Sequence, residues 1–521
     1  MTPHDSPPLG RVLMVQGTSS HAGKTTVVAA LCRWFANAGY RVAPYKAQNM
    51  SNNAAVTALG EEVGRAQAMQ ATAARTTITV DMNPVLLKPQ SDRTSQVVVL
   101  GKPWRTADAT DYYARKAQLW PIVTDALDRL RAAYDIVIIE GAGSPAEINL
   151  AQYDIVNMRV ARHANAPVLL VGDIERGGVF ASLYGTYALL TAEERSLIRA
   201  FVINKFRGDP TLLDPGFAML KERTGVPTIG VLPWFDLRDL PQEDALEWAA
   251  PRDPALAEQA APVLDIAIMR LPRIANLDEF QPLLLEPGVR TRFVGDAQEF
   301  GSPDLVIIPG TKSTVDDLQW MRERGLAERI VQHRAHGRPV LGICGGYQML
   351  GEELVDPSGV ERRGTARGLG LLPVRTEFAT DKVTRRVQAT TAETHALWSA
   401  STAQPIRAYE IHMGRTAALD GATVLPAAFQ VTPADSTETT DDGACSLDGL
   451  VVGTYLHGAL ENAPLRHAML AQLAERKGVA LPEPYSALSL DDALDRLATV
   501  VGANLDMPAI LHMLDLPAKR A

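Results

Sequence analysis

One cysteine stands between an apolar run and two glycines in PVLGICGGYQML, with the spacing Gly342-x-Cys344-x-Gly346. That spacing follows nucleophile-elbow logic: small neighbours permit a sharp strand-to-helix turn, the side chain is pushed outward, and the helix N-terminus favours the thiolate. A thiolate that breaks an amide also needs a proton partner and donors for the oxyanion. GLVVGTYLHG places His457 at the end of another apolar run, and LVIIPGTKST turns at Pro309 to Lys312. The backbone N–H groups of Gly310 and Gly345 are the candidate oxyanion donors. Together these segments describe acyl transfer through a Cys344–His457 pair.

A second chemistry begins at the N-terminus. GTSSHAGKTT, Gly17 to Thr26, follows an apolar run and leads into an amphipathic stretch. A glycine-rich turn at a helix N-terminus surrounds phosphate with backbone N–H groups; Lys24 reaches the outer phosphates and the Thr25 hydroxyl suits Mg²⁺. The loop is one residue longer than G-x-x-x-x-G-K-[ST], with five residues between Gly17 and Gly23. DIVIIEGAG ends an apolar run on Glu140, a carboxylate able to hold Mg²⁺ directly or through water.

The elements that position these residues are short apolar runs alternating with helical periodicity. RVLMVQG, RVAPYK, DIVIIEG, APVLLVGDI, AFVINKF and PTIGVLP form one series, and LDIAIMRLP, TRFVG, LVIIPG, PVLGIC and GLVVGTYLHG form another. Each series predicts a buried parallel sheet covered by helices. The fold class expected is α/β with two domains, an N-terminal phosphate-loop domain over residues 1–240 and a C-terminal α/β domain over 263–465. The Pro-, Ala- and acid-rich stretch 241–262 reads as the linker, and 466–521 as a helical extension.

With 521 residues, 46% of them hydrophobic, the chain is too long for one core. A net charge of −9 without a basic run argues against nucleic acid or anionic membrane as partners. No apolar run approaches the roughly 20 residues of a membrane span. Cys32, Cys344 and Cys445 are odd in number and widely spaced, which fits a reducing cytoplasm and opposes a disulfide framework or a Cys-rich zinc site. Cys32 reads as a packing residue and Cys445 as inert. His333 and His336, three apart on a polar helix, read as a solvated pair, so no tightly bound cofactor is expected beyond Mg²⁺ accompanying ATP.

The longer phosphate loop, the EGAG turn and NKFRGD resemble the dethiobiotin synthetase type of phosphate-loop domain, which uses ATP to phosphorylate a carboxylate or carbamate. By that resemblance Asn204 and Lys205 are candidates for adenine recognition, an ordinary loop being the rival. The PGTKS, GICGGYQ and YLHG segments resemble class I glutamine amidotransferases. The likeness implies that Cys344 attacks the glutamine amide while His457 shuttles the proton. Most of that class carry Glu two residues after the histidine, where this chain has Ala459; Glu461 is nearby but out of step.

YKAQNMSNNA, GEEVGRAQAMQA, DMNPVLLKP, GDIERGGVFAS, NKFRGD and YEIHMGRT, spread over essentially the whole chain, resemble the cobyric acid synthase family. The resemblance implies ATP- and glutamine-dependent amidation of the b, d, e and g carboxylates of adenosylcobyrinic acid a,c-diamide. It makes Glu62 a further Mg²⁺ candidate, with a helix-surface acid as the rival. Lys46, Lys88, Arg93, Arg176 and Arg207 become candidates for meeting substrate carboxylates or phosphate, the rival being solvated or ion-paired cations. The a,c-diamide synthase is the nearest alternative within this class. From another class, a nucleotide switch of the partitioning type with a degenerate glutaminase-like domain stays open. The oligomeric state is not legible in the residues.

Overall fold

The computed structural model describes residues 9–241, 262–392, 397–398, 405–486 and 488–517. The expected linker therefore lies outside the described residues except at its two ends.

Six strands form the N-terminal sheet: β1 (Arg11–Gly17), β2 (Val42–Tyr45), β3 (Ile136–Glu140), β4 (Val168–Asp173), β5 (Ile198–Phe206) and β6 (Thr228–Pro233). Their spatial order is β6-β5-β4-β1-β3-β2, and every pairing is parallel. All five residues of β3 are buried, as continuous apolar strands covered on both faces require. Gly17, Glu140, Asp173 and Asn204 consequently lie toward the carboxyl ends of parallel strands, where open α/β sheets bind ligands.

The C-terminal sheet contains β7 (Leu264–Met269), β8 (Val289–Val294), β9 (Leu305–Ile308), β10 (Val340–Ile343), β11 (Ala444–Cys445) and β12 (Val451–Thr454). Its order is β8-β7-β9-β10-β12-β11, parallel except at β11. Gly310, Cys344 and His457 follow the carboxyl ends of β9, β10 and β12, which are adjacent.

Helix α1 (Lys24–Asn37) covers the N-terminal sheet, and α2 (Arg65–Ala73) packs beside it. Helix α3 (Gly345–Leu350) follows the Cys344 turn. Helix α4 (Ala463–Lys477) runs straight across the boundary expected between residues 465 and 466, and buries Leu465, Met469, Leu470 and Leu473 in the C-terminal core. Helices α5 (Leu490–Asn504) and α6 (Met507–Met513) return to the other domain, placing Leu494, Leu497, Val501 and Ile510 in the core that α1 seals. Buried Arg33 of α1 pairs with Asp491 and, at 3.2 Å, with Asp495 of α5.

Three further sheets among the described residues, one of them the two-stranded pair Ala54–Val56 and Glu62–Gly64, bring the domains together. A four-stranded sheet carries Lys88 on Val85–Pro89, and the long strands Val374–Thr391 and Ile406–Ala418 carry Lys382 and His412. Asn53 and Asn276 clasp each other's backbones: Ala54 N donates to Asn276 Oδ1 at 2.9 Å and Leu277 N to Asn53 Oδ1 at 3.0 Å.

Candidate active site

Cys344 joins β10 to α3 with φ 51° and ψ −108°. Strained backbone of this kind in a non-glycine residue costs about 1–3 kcal/mol and persists where the surrounding structure enforces it. The enforcement is visible at the flanking glycines. A Cβ on Gly346 would lie 1.9 Å from Ile308 O, and one on Gly342 would lie 2.7 Å from Gly346 O. Neither position admits a side chain without moving backbone.

Gly310 brings the pieces together. A Cβ there would lie 2.7 Å from His457 Cε1 and 3.6 Å from Cys344 Cβ, so the turn after β9 faces both side chains at close range. One on Gly345 would come within 3.1 Å of Thr311 N, which sets the two proposed oxyanion segments side by side.

The carboxylate missing at Ala459 comes from elsewhere in the chain. Glu279 Oε1 lies 3.2 Å from His457 Nδ1, and Glu279 Oε2 accepts from Gly458 N at 3.1 Å. Both side chains are 1% exposed. Burial opposes charge on the imidazole, but the Glu279 charge and the contact with Cys344 overcome it and raise the His457 pKa to about 10. Tyr409 stacks on the ring with centroids 5.5 Å apart, fixing its plane. Glu461, by contrast, pairs with Arg65 of α2 and leaves His457 to Glu279. Sequence reasoning missed Glu279 because its segment, LDEF, belongs to no recognised motif; two acids between Leu277 and Phe280 were the sole signal.

The other histidines and cysteines take structural places. His412 stacks on Tyr455 with centroids 3.8 Å apart, and burial lowers its pKa to about 4. His333 is buried with Nε2 3.0 Å from Pro339 O, so only His336 of the expected solvated pair is exposed. Cys32 and Cys445 are buried, and burial pushes both thiols up, Cys445 to about 11.

The second centre lies at the end of β1. Gly23 has φ 94° and precedes α1, while Lys24 Nζ donates to Ser19 O at 2.8 Å and Gly143 O at 3.0 Å, folding over the loop. Glu140 is the hub. Its Oε1 accepts from Thr25 Oγ1 at 2.8 Å and Lys46 Nζ at 2.9 Å, and its Oε2 from Gln70 Nε2 at 2.6 Å. Burial raises the carboxyl pKa, but Lys46 and these donors hold it below the ordinary range. A hydroxyl and an ionised carboxylate in contact are hard oxygen donors of the kind Mg²⁺ takes together with phosphate oxygens, so the residues fit that ion.

Glu62 is not part of this hub. Its two oxygens accept from Lys88 and from Lys382, one lysine from each domain, beside the Cys344 pocket. The opposing charges overcome burial and hold its carboxyl well below the usual range. Asn204 donates to Ala22 O at 2.9 Å and props the phosphate loop, and Lys205 pairs with Asp173 at 2.8 Å.

Comparison with known proteins follows the same division. Residues 13–246 match the "CobQ/CobB/MinD/ParA nucleotide binding domain" and residues 265–465 the "CobB/CobQ-like glutamine amidotransferase domain". A cobyric acid synthase of Sorangium cellulosum is 51% identical over 507 residues, covering 95% of this chain and 96% of the relative. One of Chloroflexus aurantiacus is 48% identical over 505 residues, covering 96% and 99%.

The chain belongs to the cobyric acid synthase family.

As a cobyric acid synthase family member it is an enzyme of cobalamin biosynthesis, a ligase that joins a glutamine amidotransferase to a nucleotide-binding domain. No helix among the described residues is long and apolar enough to cross a membrane. The family enzyme's cationic candidates divide into groups. Lys46 is spent on Glu140 and Lys88 on Glu62. Arg176, 4.0 Å from Asp173, and Arg207, stacked 4.2 Å over Trp234, are exposed beyond β4 and β5. Arg93 is exposed in the loop 90–94, next to Asp92, which pairs with Arg273 of the other domain.

Proposed function

We propose that the chain amidates the b, d, e and g side-chain carboxylates of adenosylcobyrinic acid a,c-diamide, using ATP and ammonia released from glutamine, to give adenosylcobyric acid. The observation that carries the glutaminase half is the convergence of Cys344 and His457 at adjacent strand ends, with Glu279 against the imidazole. Cys344 Sγ attacks the glutamine amide carbon, and the oxyanion is met by the N–H groups of Gly310 and Gly345. His457, charged and aligned by Glu279, protonates the departing nitrogen, so the C–N bond breaks to ammonia and a glutamyl thioester. Water then attacks the thioester, giving glutamate and restoring the thiol.

At the other centre, Lys24 and the loop from Gly17 to Gly23 cradle the ATP phosphates, Thr26 continues the helix N-terminus beneath them, and Asn204 and Lys205 border the nucleotide. Thr25 and Glu140 would hold Mg²⁺, which when bound neutralises phosphate charge. The acceptor carboxylate takes the terminal phosphoryl group, and ammonia displaces phosphate from the acyl phosphate to leave a primary amide. Arg93, Arg176 and Arg207 are the exposed cations available to the acceptor's other carboxylates.

Purified chain incubated with ATP, Mg²⁺, glutamine and the adenosylated a,c-diamide tests this by mass spectrometry, each acid-to-amide conversion giving one mass shift. Cys344→Ala should abolish the glutamine-supported reaction and keep the ammonia-supported one. ATP hydrolysis without amide from either nitrogen source would point to a nucleotide switch instead.

A further inference from the structure

The pocket that holds Cys344 and His457 also contains Lys312 and Glu361. Neither has a part in breaking the amide. Lys312 follows Thr311 in the turn after β9, and its backbone N donates to Arg273 O at 3.0 Å, which fixes the residue's start. No hydrogen bond or ion pair among the described residues engages its Nζ. Glu361 is held from behind: Oε1 accepts from Thr314 Oγ1 at 3.1 Å and Oε2 from Val315 N at 3.3 Å. The two are close enough to influence each other's charge, yet they form no ion pair.

Two other ammonium groups reach the pocket, and both are bound by one carboxylate. Lys88 and Lys382 donate to the two oxygens of Glu62. Among the described residues that line the pocket, Lys312 is thus the ammonium group without a carboxylate partner and Glu361 the carboxylate without a cation on it. Burial with nearby Lys382 and Lys88 lowers the lysine to about 7, and burial raises the acid to about 7. Ionisable groups that a pocket holds without an ion pair mark a site that a ligand of opposite charge can complete.

We propose that Lys312 and Glu361 are specificity-determining residues for the amide donor: Lys312 receives its α-carboxylate and Glu361 its α-ammonium. The inference rests on the reading of Cys344 as the glutaminase nucleophile. It selects a zwitterionic amino-acid amide over neutral primary amides, since each charge on the ligand replaces water around one otherwise unmatched group.

The test compares three amides on the full chain by ammonia release: glutamine, glutaramate, which lacks the α-ammonium, and 4-aminobutanamide, which lacks the carboxylate. For the unaltered protein kcat/KM should fall about 10- to 100-fold on removing either charge, the range of a charge-assisted hydrogen bond. Glu361→Gln should lose that factor on glutamine and 4-aminobutanamide while leaving glutaramate unaffected. Lys312→Met should lose it on glutamine and glutaramate while leaving 4-aminobutanamide unaffected. Equal losses on all three amides, or equal kcat/KM for the three amides in the unaltered protein, overturn the subsite. The latter comparison needs no variant to fold. If the unaltered protein shows no Cys344-dependent hydrolysis of any of them, the glutaminase reading itself fails and takes the subsite with it.

Discussion

Glu279 and His457 meet at 3.2 Å although 178 residues separate them in the chain. The departure at Ala459 is therefore a relocation: the orienting carboxylate comes from the segment after β7, the strand between β8 and β9, and meets the imidazole at Nδ1.

Replacing Glu279 by Gln keeps the shape and removes the charge. Glutamine-supported turnover should fall by at least about 100-fold, since the charge aligns and stabilises the imidazolium. Steady-state kinetics with glutamine and with ammonia check it, the loss appearing with glutamine alone.

The raised His457 pKa has a consequence for stability. Its folded value of about 10 exceeds the ordinary 6.5, so the folded state binds the extra proton between those values. The contribution is complete below pH 6.5 and is lost as pH climbs toward 10. Denaturant titrations across that window should show a decline in stability, and the decline should shrink in Glu279→Gln.

Glu140→Gln should act on the opposite half. It removes the charge that Lys46, Thr25 and Gln70 surround, and a loss of about 10- to 100-fold in Mg²⁺–nucleotide affinity is expected. Amidation should fall with glutamine and ammonia alike, whereas Cys344-dependent glutamine hydrolysis measured without ATP should persist.

Arg65→Ala should loosen the junction between domains. Arg65 Nε donates to Asp278 at 2.8 Å, and Asp278 is 2% exposed at its side chain, so the acid would be left without a counter-charge. Removing one partner of such a buried pair costs about 3–5 kcal/mol. Burial raises the Asp278 pKa to about 6 even beside Arg65. The destabilisation should accordingly be larger at pH 8 than at pH 5, as urea unfolding at the two values would show.

Much of this was legible because it is local. The apolar runs 11–17 and 135–141 are strands β1 and β3, and Gly342-x-Cys344-x-Gly346 is small at the two positions where backbone leaves no room. What escaped is held by distance in the sequence. Nothing near LDEF announces that Glu279 reaches His457, and nothing near Glu62, a Mg²⁺ candidate or a helix-surface acid in the sequence, announces that it pairs with Lys88 and Lys382. The C-terminal stretch read as helical, but its periodicity cannot name the surface that α5 and α6 cover.

That surface bears on the order in which the protein comes into being. Because residues 490–513 complete the core that α1 at residues 24–37 also lines, the phosphate-loop domain stays open on the ribosome until those helices emerge. At about 5–20 residues per second, translation holds that gap for on the order of a minute. The phosphate-loop domain is thus finished only after the domain that follows it, and a chain cut off before residue 490 exposes its unsealed core.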